Sequence, residues 1–192
     1  GPNEPTKIES LKIGAKAPMS SHKMKEVSGK EFSLISLKQE NGLLVIFSCN
    51  TCPFVIGNDN MDGWENRYNE TYEFCKLHRI GMVLINSNEA KRDRGDSFKD
   101  MLQHSKNKMY DSPYLIDKNH LLADAFGAST TPHVFLFNNE LELVYKGAID
   151  DNVKSKKDVK ETWLKNAVSS LGKGEKIAKP ETRNSGCSIK RL

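Results

Sequence analysis

No run of apolar residues here is long enough to cross a bilayer as a helix, so no membrane span is expected. The chain also has no internal repeat and no low-complexity block, which argues against a repeat array or a long linker. Its excess of positive charge is small, +4. The basic residues are dispersed, with local density only at Lys154-Ser155-Lys156-Lys157 and Lys190-Arg191, and neither cluster is interleaved with aromatic residues. A nucleic-acid groove is therefore not expected, and the charge reads as a solvated surface. Four cysteines in 192 residues are too few for a disulfide-stapled scaffold. His22, His78, His104, His120 and His133 show no metal-ligand spacing among themselves. An initiator Met is missing too. The opening Gly1-Pro2-Asn3 reads as the scar of a cleaved tag, with native residues removed upstream. An exported or periplasmic location is favoured on that ground over a cytoplasmic one.

What the chain does have is Cys49-Asn50-Thr51-Cys52, placed where the apolar run Leu43 to Phe47 gives way to a segment able to start a helix. Two cysteines separated by two residues can bond to each other. At a helix start they also meet unpaired N–H groups and a partial positive charge, which favour a thiolate. A strand–CxxC–helix junction is the sequence form of a thiol–disulfide redox site. The other cysteines, Cys75 and Cys187, stand alone.

Length and composition fit one soluble globular domain. Residues 1–10 read as tag scar and flexible lead-in, 11–172 as the domain, and 173–192 as a polar tail wrapped on its surface. A hairpin is expected over Lys23–Val27 and Phe32–Leu34, then a short helical turn at Ile35 to Lys38. Leu43 to Phe47 and Met82 to Ile85 read as buried strands. Between them Met61, Trp64, Tyr68, Tyr72 and Cys75 fall at helical spacing. Further helices are expected from Asp96 to about Gln103, from Asn119 to Phe126 with Gly127 closing it, and from Ser155 to Leu171, with Ser155 and Asp158 as a capping box. Tyr114 to Ile116, His133 to Phe137 and Leu141 to Lys146 read as strands, the last two as a hairpin. Strands alternating with helices before a hairpin and a closing helix predict an α/β fold, with a mixed central sheet covered on both faces.

This order, with CxxC after the first central strand and Thr131-Pro132 before the hairpin, resembles the thioredoxin fold. More narrowly it resembles a peroxiredoxin-like group of redoxins, on five matches: Cys49-Asn50-Thr51-Cys52-Pro53-Phe54-Val55; Ile85 to Asn88; Thr131-Pro132; Tyr145-Lys146-Gly147 with Asp150-Asp151; and Gly186-Cys187-Ser188-Ile189-Lys190. The resemblance runs over about residues 11–190. It implies a cis Pro132 packed against the CxxC, with the Thr131 backbone offering strand-like hydrogen bonds to a bound peptide or thiol. It implies no organic cofactor, and a protein or low-molecular-weight thiol or disulfide as partner. It does not fix the oligomeric state. Asn86, Asn88, Asp150 and Asp151 line the site on this resemblance, or are polar residues at strand ends.

In the thioredoxin reading Cys49 is the exposed nucleophile and Cys52 resolves the mixed disulfide, with Asn50 and Thr51 free to bond a sulfur. Two departures stand out. Leu43 occupies the position of the buried acid that thioredoxins place six residues before the first cysteine, and Ser48 that of their Trp. The peroxiredoxin pattern is not intact either: aligned on Cys52, it puts Cys49 at the Thr position and Val45 at the Pro position. Peroxide reduction through Cys52, with Cys49 resolving, is the alternative enzyme reading. The non-enzyme alternatives are a zinc site, since Cys75 and His78 complete a C-x2-C…C-x2-H pattern, a copper carrier using the two cysteines and His133, and an inert disulfide. Cys187 is either an incidental tail cysteine or an accessory third thiol brought back to the CxxC.

Overall fold

The structure is a computed structural model and describes residues 8–192. Residues 1–7, read above as a tag scar and part of a lead-in, lie outside the described residues. Chain order is β1 (Met24–Glu26), β2 (Glu31–Phe32), α1 (Leu34–Leu37), β3 (Gly42–Ser48), α2 (Pro53–Ile56), α3 (Tyr68–Leu77), β4 (Ile80–Asn86), α4 (Phe98–Asn107), β5 (Tyr114–Ile116), α5 (Leu121–Phe126), β6 (Thr130–Thr131), β7 (His133–Phe137), β8 (Leu143–Gly147), α6 (Trp163–Gly172) and β9 (Cys187–Ser188). Seven strands form one sheet in the order β2-β1-β5-β4-β3-β7-β8, and β6 and β9 form a separate pair. β3 runs parallel to β4 and β4 to β5, whereas β7 and β8 return antiparallel beside β3.

All seven residues of β3 are buried, because the strand lies at the centre of the sheet with a layer of side chains on each face. Leu44 and Ile46 join Tyr68 and Cys75 of α3, Met101 of α4 and Leu164, Ala167 and Val168 of α6. Leu43, Val45 and Phe47 join Leu34 of α1 and Leu122, Ala123 and Phe126 of α5 on the other face. Each such fully buried aliphatic or aromatic side chain contributes about 1.5–3 kcal/mol. Phe47, Phe126 and Phe135 meet edge to face, with ring centroids 5.2–5.7 Å apart.

Local chemistry explains the boundaries. Ser97 caps α4: its side chain accepts from Asp100 N–H, while the Asp100 carboxylate accepts from Ser97 N–H. Gly127 closes α5 in the left-handed region, at φ +63°. Two expected helices start later than their apolar spacing suggests. The stripe beginning at Met61 becomes helical only at Tyr68, after a 3-10 turn over Glu65–Arg67. The last helix begins at Trp163, not Ser155. Ser155 makes no side-chain cap, and Lys156–Asp158 is a single 3-10 turn. The Asp151 carboxylate takes the Lys160 N–H, and Asp151 N–H donates to Glu161 O, which holds this stretch off a helical path.

Candidate active site

The CxxC lies where β3 ends. Ser48 closes the strand with its Oγ 2.8 Å from Tyr68 Oη, and Cys49 follows, fully buried. Cys52 is extended (φ −86°, ψ 126°) and immediately precedes α2, a one-turn helix with Pro53 at its start, where the missing N–H costs nothing. Only four residues of helix follow the CxxC directly, and Gly57 ends them. The Thr131–Pro132 peptide bond is cis. Thr131 touches both sulfurs: its Oγ1 lies 3.3 Å from Cys49 Sγ and its carbonyl oxygen 3.4 Å from Cys52 Sγ.

The disulfide is not the expected one. Cys52 is bonded to Cys187, 135 residues away, with their Cα atoms 6.0 Å apart, and Cys49 is a free thiol. The tail causes this. Residues 187–188 run antiparallel to Thr130–Thr131, with Cys187 opposite Thr131 and Ser188 opposite Thr130. That register sets Cys187 beside the carbonyl that touches Cys52. The tail is therefore part of the site and not only a surface wrap. Ile189 is buried in the core beneath it, and its N–H donates to Ser129 O. Lys190 N–H donates to Asn88 Oδ1, Lys190 O accepts from Ala90 N–H, and Arg191 reaches Asp124 and Ala128 O. Asn184 donates to the hydroxyls of Ser129 and Thr130.

Nor is Cys49 an exposed thiolate. Burial first, and then the negative charge of Asp96, push its thiol up, against the hydrogen bonds from Thr131 Oγ1 and the Thr51 and Cys52 backbone. The side chains of Asn50 and Thr51 serve Asp96 and its surroundings, not a sulfur. Asp96 is fully buried and accepts four hydrogen bonds: from Asn50 N–H and Asn86 Nδ2 at one oxygen, and from Thr51 Oγ1 and Asn88 Nδ2 at the other. Tyr114 Oη donates to Asn50 Oδ1 and accepts from Asn86 Nδ2. Arg92 steadies the assembly through Asn86 Oδ1 and Asp96 O. The buried acid absent at Leu43 thus has a counterpart from another element. The sequence carried one local sign of it, the Asp96-Ser97 pair at a helix start, but nothing that tied it to residue 50.

Of the polar residues at strand ends, Asn86 and Asn88 support the CxxC loop, while Asp150 does not touch the cysteines. It is buried against Arg67 at 3.0 Å and accepts from Trp64 Nε1. Asp151 is exposed, and the Lys160 N–H lowers its carboxyl below the ordinary value. The metal readings lack their geometry. Cys75 lies seven residues beyond Tyr68 on α3, about 10 Å along the axis; burial pushes its thiol up to about 12. His78 caps the end of α3. His133 points to the opposite face of the sheet from Cys49, its ring tilted against Phe135 with centroids 4.5 Å apart, and its Nδ1 accepts from Ser129 N–H. Burial, with some help from the Lys146 charge, holds His133 down to about 3. Among the described residues no three His, Cys, Asp or Glu side chains form a metal-binding group.

No protein-family model matches the sequence, and no curated protein does. Solved structures do. A hypothetical protein of Sinorhizobium meliloti 1021 is 30% identical with a TM-score of 0.84, over 96% of this chain and 97% of that one. The chain belongs to the same family as that protein. A conserved protein of Geobacillus kaustophilus is similar at 26% identity and a TM-score of 0.84, over 94% of this chain and 93% of the other. Peroxidoxin BcpB of Mycobacterium tuberculosis shares the architecture at 12% identity and a TM-score of 0.59, over 84% and 96% of the two chains. The fold is that of thioredoxin, with β1 and β2 added at one edge.

Proposed function

We propose that this protein is a thiol–disulfide oxidoreductase whose working couple is Cys52 and Cys187, with Cys49 as a buried reserve thiol and Thr131-Pro132 as the partner-binding edge. The observation that carries the reading is the Cys52–Cys187 disulfide, seated on the carbonyl of Thr131 beside a free Cys49. Cys187 is half-buried and Cys52 is 4% exposed, so an incoming thiolate meets the Cys187 sulfur first. Attack there forms a bond from the partner sulfur to Cys187 and expels Cys52 as thiolate. A second partner thiolate then attacks the first partner's sulfur, leaving as products a partner disulfide and two reduced cysteines. Run backwards, the same steps reduce a partner disulfide. Proteins named as disulfide oxidoreductases and peroxidoxins share the fold, which supports redox chemistry at that general level.

The test is turnover of a glutathione-coupled disulfide substrate by the full chain and its single Cys→Ser variants. Loss in Cys52→Ser and Cys187→Ser with retention in Cys49→Ser is the expected result. Full turnover in Cys187→Ser with loss in Cys49→Ser would overturn this pairing in favour of the CxxC alone.

The same disulfide also favours a second reading, thiol peroxidase. A Cys52 thiolate takes one oxygen from a hydroperoxide, giving Cys52 sulfenic acid and an alcohol. The Cys187 thiol then condenses with it, releasing water and leaving the bond seen here. Cys187, not Cys49, is the resolving thiol on this reading. Hydroperoxide consumption that vanishes in Cys52→Ser would support it.

A further inference from the structure

Among the described residues the two-residue strand β6 pairs only with the tail. An extended backbone with open N–H and C=O groups is a docking edge, and side-chain pockets beside it set what it accepts. We propose that residues 186–190 stand in for a partner, and that this edge takes an extended protein segment of the pattern Gly-Cys-x-aliphatic. The inference rests on the thiol-exchange reading and adds the partner's sequence chemistry to it.

Each position of the pattern has a cause on the edge. A Cβ on Gly186 would collide with the Thr131 carbonyl oxygen, so the residue before the cysteine must be glycine for the strand to close on β6. The cysteine sits opposite Thr131, which sets its sulfur at Cys52. The next residue, Ser188, pairs through its backbone with Thr130, while its side chain is exposed and accepts from Lys190 Nζ of the tail itself. Ile189 is 5% exposed, in a core layer that a polar side chain could not enter without loss of hydration. Backbone groups of the following residue are held by Asn88 and Ala90. Asn88 also donates to Asp96, so the far end of the docked segment is tied to the network that shapes the CxxC loop. A partner carrying this pattern first attacks Cys187 Sγ and expels the Cys52 thiolate; as the tail leaves β6, Cys52 attacks the partner's sulfur in the Cys187–partner disulfide, forming a Cys52–partner disulfide and releasing the Cys187 thiolate.

The experiment uses three synthetic octapeptides: Asn-Ser-Gly-Cys-Ser-Ile-Lys-Arg, the same with Val for Gly, and the same with Asp for Ile. Each is supplied as its mixed disulfide with thionitrobenzoate. The receiving chain is full length with Cys49→Ser and Cys187→Ser, so that Cys52 attacks the peptide sulfur and releases coloured thionitrobenzoate. The parent peptide should react about tenfold faster than either altered one, the factor that about 1.4 kcal/mol of lost docking would give. Adding Ile189→Asp to the chain, which loosens its own tail, should speed the parent peptide further. Equal rates for the three peptides, with the glutathione–thionitrobenzoate disulfide still reacting, would overturn this inference and leave the exchange reading standing. No reaction with any of the four disulfides would overturn both. The unmodified oxidised chain gives a second reading that needs no variant. Its Cys52 adduct with reduced parent peptide, followed by mass spectrometry, should exceed the adducts with the altered peptides; equal yields would count against the proposal.

Discussion

Reduction of the protein should cost it far more stability than a CxxC bond could explain. The Cys52–Cys187 disulfide closes a loop across a sequence separation of 135. Chain-entropy reckoning makes such a cross-link worth about 5 kcal/mol at 25 °C, because the open unfolded chain gains that much freedom. A bond between Cys49 and Cys52, three positions apart in the sequence, would give about 2 kcal/mol on the same reckoning. For a chain of this size each kcal/mol moves the melting temperature by about 2–4 °C. The first pairing therefore predicts a drop of about 10–20 °C on reduction, and the second only about 4–8 °C. Differential scanning calorimetry with and without a phosphine reductant measures this directly. The difference between oxidised and reduced chain should persist in Cys49→Ser and disappear in Cys187→Ser. A difference that vanished in Cys49→Ser and survived in Cys187→Ser would refute the reasoning, since only a short CxxC loop behaves that way.

Three other perturbations test separate parts of the structure. His133 is neutral in the folded protein, held down to about 3 from an ordinary 6.5, so its contribution is complete above pH 6.5 and is lost as pH falls towards 3. Urea unfolding at pH 7 and pH 4 should show a fall of which His133 supplies at most about 3 kcal/mol, reduced by that much in His133→Gln; an identical fall in that variant would exclude His133 as a source. Asp150→Ala leaves the buried Arg67 guanidinium without its counter-ion and should cost about 3–5 kcal/mol in the same assay, with part regained in Arg67→Met/Asp150→Ala. No gain in the double variant would argue against an ionic cause. Asp96→Asn removes a charge that raises Cys49, so the Cys49 thiolate should form at lower pH. Thiolate absorbance at 240 nm in a Cys52→Ser/Cys187→Ser background reads that shift, and an unmoved midpoint would exclude the electrostatic link.

What could be read from the sequence was local and periodic. The run from Leu43 to Phe47 reads as a central strand because all its side chains are apolar, and both faces of β3 are indeed covered. The junction at Cys49, the helix start at Ser97 and the end of α5 at Gly127 are legible because each depends on neighbours within a few residues. The last helix starts later than its apolar pattern because the Asp151 carboxylate and backbone, outside that pattern, bind the 160–161 backbone. Which of Cys49 and Cys187 bonds to Cys52 is not legible for the same kind of reason. It follows from the register of β9 on β6, a contact between segments more than fifty residues apart, and a two-residue strand leaves no periodicity to find. Asp96 became a site residue through bonds to Asn50 and Thr51 that only the folded chain brings together.

The last strand of the main sheet, β8, has no strand neighbour on its outer side among the described residues. Leu143 O accepts from Gly14 N–H and Leu143 N–H donates to Ala15 O, while Lys146 N–H donates to Pro180 O and Lys146 O accepts from Thr182 N–H. The two ends of the described chain thus act as bumpers along a margin that would otherwise offer a ladder of free amides to any neighbouring molecule. Trimming the residues that lead into β1 would strip one bumper and invite side-by-side stacking of copies, whereas trimming the other end would take the Cys52–Cys187 bond and Ile189 with it and cost stability as well.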